Sequence, residues 1–179
     1  MRNDVEKVLI SEEELDTKNI QIGEEITKDY KGKEILVVGI LKGSSIFMSD
    51  LIREIDLPLQ IDYMVVSSYG TSTESSGVVR IVKDLQHSIE GKHVLIVEDI
   101  VDTGLTLAYI KEILKARGPA SVKICTLLDK PARRKKNIEL DYVGFEVPDE
   151  FIVGYGIDYA EHYRNLPFIG ALKRSVYEK

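Results

Sequence analysis

Two short apolar runs constrain this chain most: Glu34-Ile35-Leu36-Val37-Val38-Gly39-Ile40 and His93-Val94-Leu95-Ile96-Val97. Both are too brief for a helix and rich in β-branched residues, and neither alternates with polar positions. That is the pattern of a strand covered on both faces, as in a parallel sheet. Each is followed by a helical face: Phe47, Met48, Leu51 and Ile52 after the first, Leu107, Ile110 and Leu114 after the second. Gly118-Pro119 stops the latter helix. Upstream, Ser11 and Glu14 fit a capping box, with Leu15, Ile22 and Ile26 on one helical face. Further extended segments are expected at Leu59 to Val66, Val78 to Val82, Ser121 to Leu128, Leu140 to Phe145 and Phe151 to Val153. Strands alternating with helices in this order predict an α/β chain with a mostly parallel central sheet flanked by helices. Ligands gather at the carboxyl ends of such strands, which draws attention to the turns after Ile40, Val97 and Leu128.

At 179 residues and 44% hydrophobic content, the chain suits one domain with a real core. Its single Cys excludes an internal disulfide framework and a multi-cysteine zinc site, which favours a reducing, cytoplasmic setting. The three His residues, His87, His93 and His162, show no metal spacing. No apolar run approaches a membrane span, and Met1 to Glu6 lacks the apolar stretch of a secretory signal. A net charge of −6 opposes broad nucleic-acid binding. The one basic run, Lys130 to Lys136, is short and lacks interleaved aromatics. No nucleic-acid or membrane partner is expected.

The most informative segment is Glu98-Asp99-Ile100-Val101-Asp102-Thr103-Gly104-Leu105-Thr106, read as an acidic turn after the second strand. Two adjacent carboxylates in a crevice are costly unless cations or sugar hydroxyls meet them. Hard oxygen ligands suit Mg²⁺, which keeps several waters and is shared with a phosphorylated substrate. Thr103 to Thr106 opens a helix, where free N–H groups and two hydroxyls make a monophosphate cradle. A helix cap needs one acid rather than three, and it does not need the Thr-Gly-x-Thr that follows. Neither a Walker A loop nor a Rossmann G-x-G-x-x-G after a strand occurs in the chain.

Val94 to Thr106 closely resembles the phosphoribosyl-pyrophosphate motif of type I phosphoribosyltransferases. Leu41-Lys42-Gly43, Ser68-Tyr69, Leu127 to Lys130, Val143 to Asp149 and Phe151 to Tyr159 with Arg164 resemble, in order, blocks of the hypoxanthine-guanine phosphoribosyltransferases. The resemblance implies the type I phosphoribosyltransferase fold, as a single unit over 1–179 with a small C-terminal hood built mainly after residue 130. It further implies Mg²⁺-dependent transfer of phosphoribosyl from phosphoribosyl pyrophosphate to hypoxanthine or guanine. The products would be IMP or GMP and pyrophosphate, made by a homodimer or homotetramer.

Residue by residue, the resemblance assigns Glu98 and Asp99 to the ribose hydroxyls and the metal, and Asp102 to proton transfer at purine N7. Thr103, Gly104, Leu105 and Thr106 match the 5′-phosphate loop; mammalian relatives carry Lys where this chain has Leu105. Lys42 and Gly43 match a pyrophosphate loop that contains a cis peptide, and Arg164 matches a second pyrophosphate ligand. Lys130 matches the donor to purine O6, which favours a 6-oxo over a 6-amino group. Phe151 matches the aromatic that stacks on the base and Ile152 a source of backbone contacts. Asp158 matches an acid near a second Mg²⁺ and the purine edge. Arg133 or Arg134 is expected to approach pyrophosphate. Ser68 and Tyr69 open a loop, continuing over Gly70 to Gly77, that would close to exclude water. Alternatives are a donor-sensing regulator, a receiver-like signalling domain and a xanthine-preferring enzyme; Asp102, Lys130 and Asp158 together argue against the first, and the Thr-Gly-x-Thr cradle against the second.

Overall fold

The computed structural model describes residues 1–68 and 79–178. In chain order, the strands are β1 (Val5–Ile10), β2 (Ile35–Leu41), β3 (Leu59–Ser68), β4 (Val79–Lys83), β5 (His93–Val101), β6 (Ser121–Asp129), β7 (Tyr142–Glu146), β8 (Ile152–Val153) and β9 (Ile169–Leu172). The helices are α1 (Glu12–Asp29), α2 (Ser45–Leu51), α3 (Leu105–Lys115) and the short α4 (Arg174–Tyr177). Six strands form the main sheet in the order β4-β3-β2-β5-β6-β7. All its pairings are parallel except β3 with β4.

Alternate residues of the central strands feed two cores. Ile35 and Val37 of β2 and Leu95 and Val97 of β5 pack with Leu15, Ile22 and Ile26 of α1 and Phe47, Met48 and Leu51 of α2. Leu36, Val38, Ile40, Val94 and Ile96 pack instead with Leu107, Ile110 and Leu114 of α3. A run without polar interruption is what a strand sandwiched between helix layers requires, since each buried Leu, Ile or Phe stabilises by about 1.5–3 kcal/mol. The expected capping box of α1 is present: Glu14 N–H donates to Ser11 Oγ at 3.3 Å, and Ser11 N–H donates to the Glu14 carboxylate at 2.8 Å.

A second, three-stranded sheet has the order β1-β9-β8, antiparallel throughout. It closes over Val153, Leu166 and Leu172. This is the hood, and its first strand comes from the N-terminus, where the sequence suggested no strand. β1 exposes half of its side chains, three in a row, and its pairing partner lies far along the chain, so no local pattern marks it.

The acidic segment differs from its expected form. Glu98 to Val101 continue β5 rather than forming a turn, because Glu98, Ile100 and Val101 stay paired with Thr126, Leu128 and Asp129 of β6. The turn proper is Asp102 to Gly104. Of the expected closing loop, Ser68 ends β3, and Tyr69 through Gly77 lie outside the described residues.

Candidate active site

Asp102, Thr103 and Gly104 sit between the end of β5 and the start of α3. Gly104 takes φ 76°, and a Cβ there would lie 2.7 Å from the Lys136 carbonyl, so the tight turn requires glycine. The Thr103 carbonyl accepts from both Lys135 N–H and Lys136 N–H at 3.0 Å. The basic run thus wraps the loop from outside. Thr103, Gly104 and Thr106, with Glu98 and Asp102, line a small cavity of about 120 Å³ at the N-terminus of α3. Free N–H groups and the helix dipole favour an anion there. Leu105, although part of the matched loop, does not line that cavity.

Glu98 and Asp99 are neighbours at the strand end. Asp99 N–H donates to Glu98 Oε1 at 3.2 Å, and Ile100 N–H donates to Asp99 Oδ1 at 2.8 Å. Burial, then the adjacent Asp99 charge, pushes the Glu98 carboxyl well above the usual carboxylate range. Across from them runs the loop from β2 to α2, whose Leu41–Lys42 peptide bond is cis. A Cβ on Gly43 would fall 1.8 Å from Asp99 Oδ2. Gly43 therefore lets the loop backbone lie directly against the acid pair.

A second cavity, about 350 Å³, adjoins the first through Ile100 and Asp102. Lys130, Phe151, Ile152, Ile157 and Asp158 line it as well. Lys130 is only 6% exposed, unusual for a lysine, and its ammonium donates to the Glu150 carbonyl at 2.8 Å. Asp102 Oδ1 is buried and has no hydrogen-bond partner among the described residues. Phe151 sits just before β8 with 39% of its surface exposed, so it is not a core residue. Its ring stacks on Tyr177 with centroids 4.7 Å apart, and Tyr159 meets it edge-on.

Arg164 completes the site from the hood. Its guanidinium donates to the Gly156 carbonyl at 2.8 Å and pairs with Asp158 at 2.8 Å, while its Nε is buried without a partner among the described residues. A Cβ on Gly156 would fall 2.1 Å from the Gly43 carbonyl, so the hood and the β2–α2 loop meet backbone to backbone.

Most of the matched residues thus line or border these cavities, and the structure shows partners the sequence did not indicate. Arg133 and Arg134, expected near pyrophosphate, contact acids and carbonyls around the Asp102 turn. Arg134 braces the turn, donating to the Asp102 carbonyl at 3.1 Å and bonding Asp129. Arg133 lies 3.5 Å from Asp102 Oδ1 and 3.9 Å from Asp149. Asp158, matched to the metal, uses one oxygen on Arg164 and the other on the Glu161 N–H. Sequence reasoning gave no role to Tyr177, Ile157, Asp149 or Glu161. Ile157 and Asp149 lie inside matched blocks, and Glu161 left a signal of its own, a charge three residues from both Asp158 and Arg164.

Comparison with known proteins agrees with this architecture. Residues 11–160 match the phosphoribosyl transferase domain family. The hypoxanthine-guanine phosphoribosyltransferase of Bacillus subtilis strain 168 is 58% identical over 178 residues, covering 99% of both chains. A Staphylococcus aureus protein of the same name, from strain Mu50, is 58% identical over 177 residues, again 99% of each chain. The crystal structure of a hypoxanthine phosphoribosyltransferase from Staphylococcus aureus superimposes with a TM-score of 0.98 at 57% identity, over 100% of this chain and 97% of that one. With its parallel sheet, hood and paired cavities, this chain belongs to the phosphoribosyltransferase family, and within it to the hypoxanthine-guanine phosphoribosyltransferases.

Proposed function

We infer that the protein transfers 5-phosphoribosyl from phosphoribosyl pyrophosphate to hypoxanthine or guanine, releasing pyrophosphate and serving purine salvage. Family membership supports the reaction. One observation supports the placing of the base: the buried Lys130 ammonium and Asp102, whose Oδ1 has no hydrogen bond among the described residues, line the same cavity beside the Phe151 ring. A 6-oxopurine presents an acceptor to the first, a ring N–H to the second and a flat face to the third.

In this reading the 5′-phosphate lies in the cradle at the start of α3, held by backbone N–H groups and the hydroxyls of Thr103 and Thr106. Lys42, the Gly43 backbone and Arg164 take the pyrophosphate, Arg164 through a fork suited to phosphate oxygens. Lys130 fixes O6. Ile152 and Asp158 frame the base, and Asp158 also holds Arg164 in place. As the C1–O bond of the ribose breaks, the sugar becomes oxocarbenium-like and purine N9 bonds to C1. Asp102 then takes the N7 proton, a role typically worth ~10²–10⁴ in rate.

No group of three or more acidic, His or Cys side chains that could cage a metal occurs among the described residues. Mg²⁺ does not need one, since it commonly binds one or two carboxylates and completes its shell with water and substrate phosphate oxygens. The Glu98–Asp99 pair, with the Glu98 carboxyl pushed up by burial and its neighbour's charge, fits that demand. Once bound there, with the remaining acceptor capacity of Asp158 at a second position, Mg²⁺ would offset charge on the departing pyrophosphate. We also place the protein in the cytoplasm, as a homodimer or homotetramer; no helix among the described residues is long and apolar enough to cross a membrane.

Lys130→Ala tests the placing of the base. The KM for hypoxanthine should rise at least ~10-fold, with the KM for phosphoribosyl pyrophosphate within ~2-fold of wild type, since an ionic hydrogen bond contributes roughly 1.5–3 kcal/mol. Equal weakening of both substrates would put Lys130 elsewhere.

A further inference from the structure

Glu161 has no role in the reaction described above, yet it touches both cations assigned to pyrophosphate. Its Oε2 lies 2.6 Å from Lys42 Nζ, and its Oε1 lies 3.3 Å from Arg164 Nη2. Those cations come from distant parts of the chain, one from the β2–α2 loop and the other from the hood. A single carboxylate therefore spans the gap that two phosphoryl oxygens would span. The loop carrying it is unusual. Ala160, Glu161 and Tyr163 adopt φ values of 50°, 65° and 76°, a left-handed region that side-chain-bearing residues enter rarely and at a cost. Two backbone hydrogen bonds between Tyr159 and His162 close this turn, and the Glu161 N–H is anchored on Asp158 Oδ2 at 2.8 Å. The turn delivers Glu161 to the cations and holds it there.

A surface ion pair is the plain alternative, and exposed pairs contribute little to fold stability. Glu161 is 64% exposed at the side chain, so stability gives little reason for the turn's geometry. Exposure also means that the carboxylate can swing into solvent without opening the fold. Arg164 meanwhile keeps a buried Nε with no acceptor among the described residues, unspent donor capacity toward an anion larger than a carboxylate.

We propose that Glu161 is an internal stand-in for pyrophosphate: its carboxylate occupies Lys42 and Arg164 in the donor-free protein and is expelled when a pyrophosphoryl group arrives. The pairing keeps the two cations positioned while the site is empty. It also weakens pyrophosphate binding by competition, which favours release of that product. The inference rests on assigning Lys42 and Arg164 to pyrophosphate, so its test must separate the two claims.

The test is calorimetric binding of inorganic pyrophosphate, with Mg²⁺, to the wild type, Glu161→Gln, Lys42→Ala, Arg164→Ala and the Glu161→Gln/Lys42→Ala double variant. Removing the competing charge should tighten pyrophosphate binding by ~2- to 5-fold, the range of one exposed ion pair, with the hypoxanthine KM unchanged. The gain should shrink in the double variant and narrow as salt rises. A merely structural residue would not yield tighter binding when altered. Glu161→Asn supplies a second variant, because Asn tolerates the left-handed backbone. Weaker binding in Lys42→Ala and Arg164→Ala, combined with unchanged or weaker binding in Glu161→Gln, would overturn the stand-in alone. Wild-type binding in Lys42→Ala and Arg164→Ala would overturn the site assignment and the stand-in with it.

Discussion

At the scale of single residues, the site is a set of charges whose neighbours determine what each can do. Asp102 has its carbonyl held by Arg134 and one carboxylate oxygen left without a hydrogen bond, with Arg133 at charge-pairing distance. Its backbone is braced and its oxygen is available, as a proton acceptor needs. Asp102→Asn keeps the shape and removes the basicity. It should fold with an unchanged melting midpoint and form nucleotide at least ~100-fold more slowly. A kcat within ~3-fold of wild type would remove Asp102 from proton transfer. Lys130 shows the converse, a charged group almost wholly withdrawn from water at the site.

At the scale of elements, what could be read from sequence was local. The capping box, the strand Ile35–Leu41 and the face of α3 each lie within a dozen residues and declare themselves by period. The Thr-Gly-x-Thr turn was equally legible, because its chemistry is contiguous. The acidic stretch was misjudged as a turn because two charges interrupt an apolar run; pairing with β6, invisible locally, carries the strand onward. The contacts of Arg133 and Arg134 were hidden for a related reason. Their destinations depend on how the run after Lys130 wraps the Thr103 carbonyl.

A bidentate pair ties the element ends away from the site. Arg117, just past α3, donates to both oxygens of Asp84, just past β4, at 2.7 and 2.8 Å. The Arg117 hydrogen bonds hold the Asp84 carboxyl below its ordinary value of 3.8. A lowered acid contributes stability that is whole above the unfolded value and is lost as pH falls through the folded one. Asp84→Asn should therefore cost about 1 kcal/mol at pH 7, modest because the pair is partly exposed, and progressively less below about pH 4. Urea melts across that range give the comparison; a gap unchanged at pH 3 would show that the ion pair is not its source.

At the scale of the whole molecule, the main sheet brings the loops after β2, β5 and β6 to one edge, and the hood closes that edge from the side. The hood joins β1 with β9, from distant parts of the chain, and its Gly156 rests on Gly43 of the β2–α2 loop. The groups proposed for base and for pyrophosphate thus meet along one seam. No window of sequence displays that seam, which is why Glu161 and Tyr177 escaped notice while Asp102 and Thr103 did not. Both charges gather at the site: Glu98, Asp99, Asp102 and Asp158 supply acids, Lys42, Lys130 and Arg164 supply cations, and Arg164 pairs with Asp158. This explains how an acidic protein can take an anionic substrate.

The most direct measurement is nucleotide formation from phosphoribosyl pyrophosphate with hypoxanthine, guanine, xanthine and adenine in parallel, with Mg²⁺ and after its removal by chelation. Hypoxanthine and guanine should give IMP and GMP only with Mg²⁺, and adenine should react at least ~100-fold less efficiently because its 6-amino group presents hydrogens to Lys130. Efficient formation of AMP, or no nucleotide from either 6-oxopurine, would contradict the account.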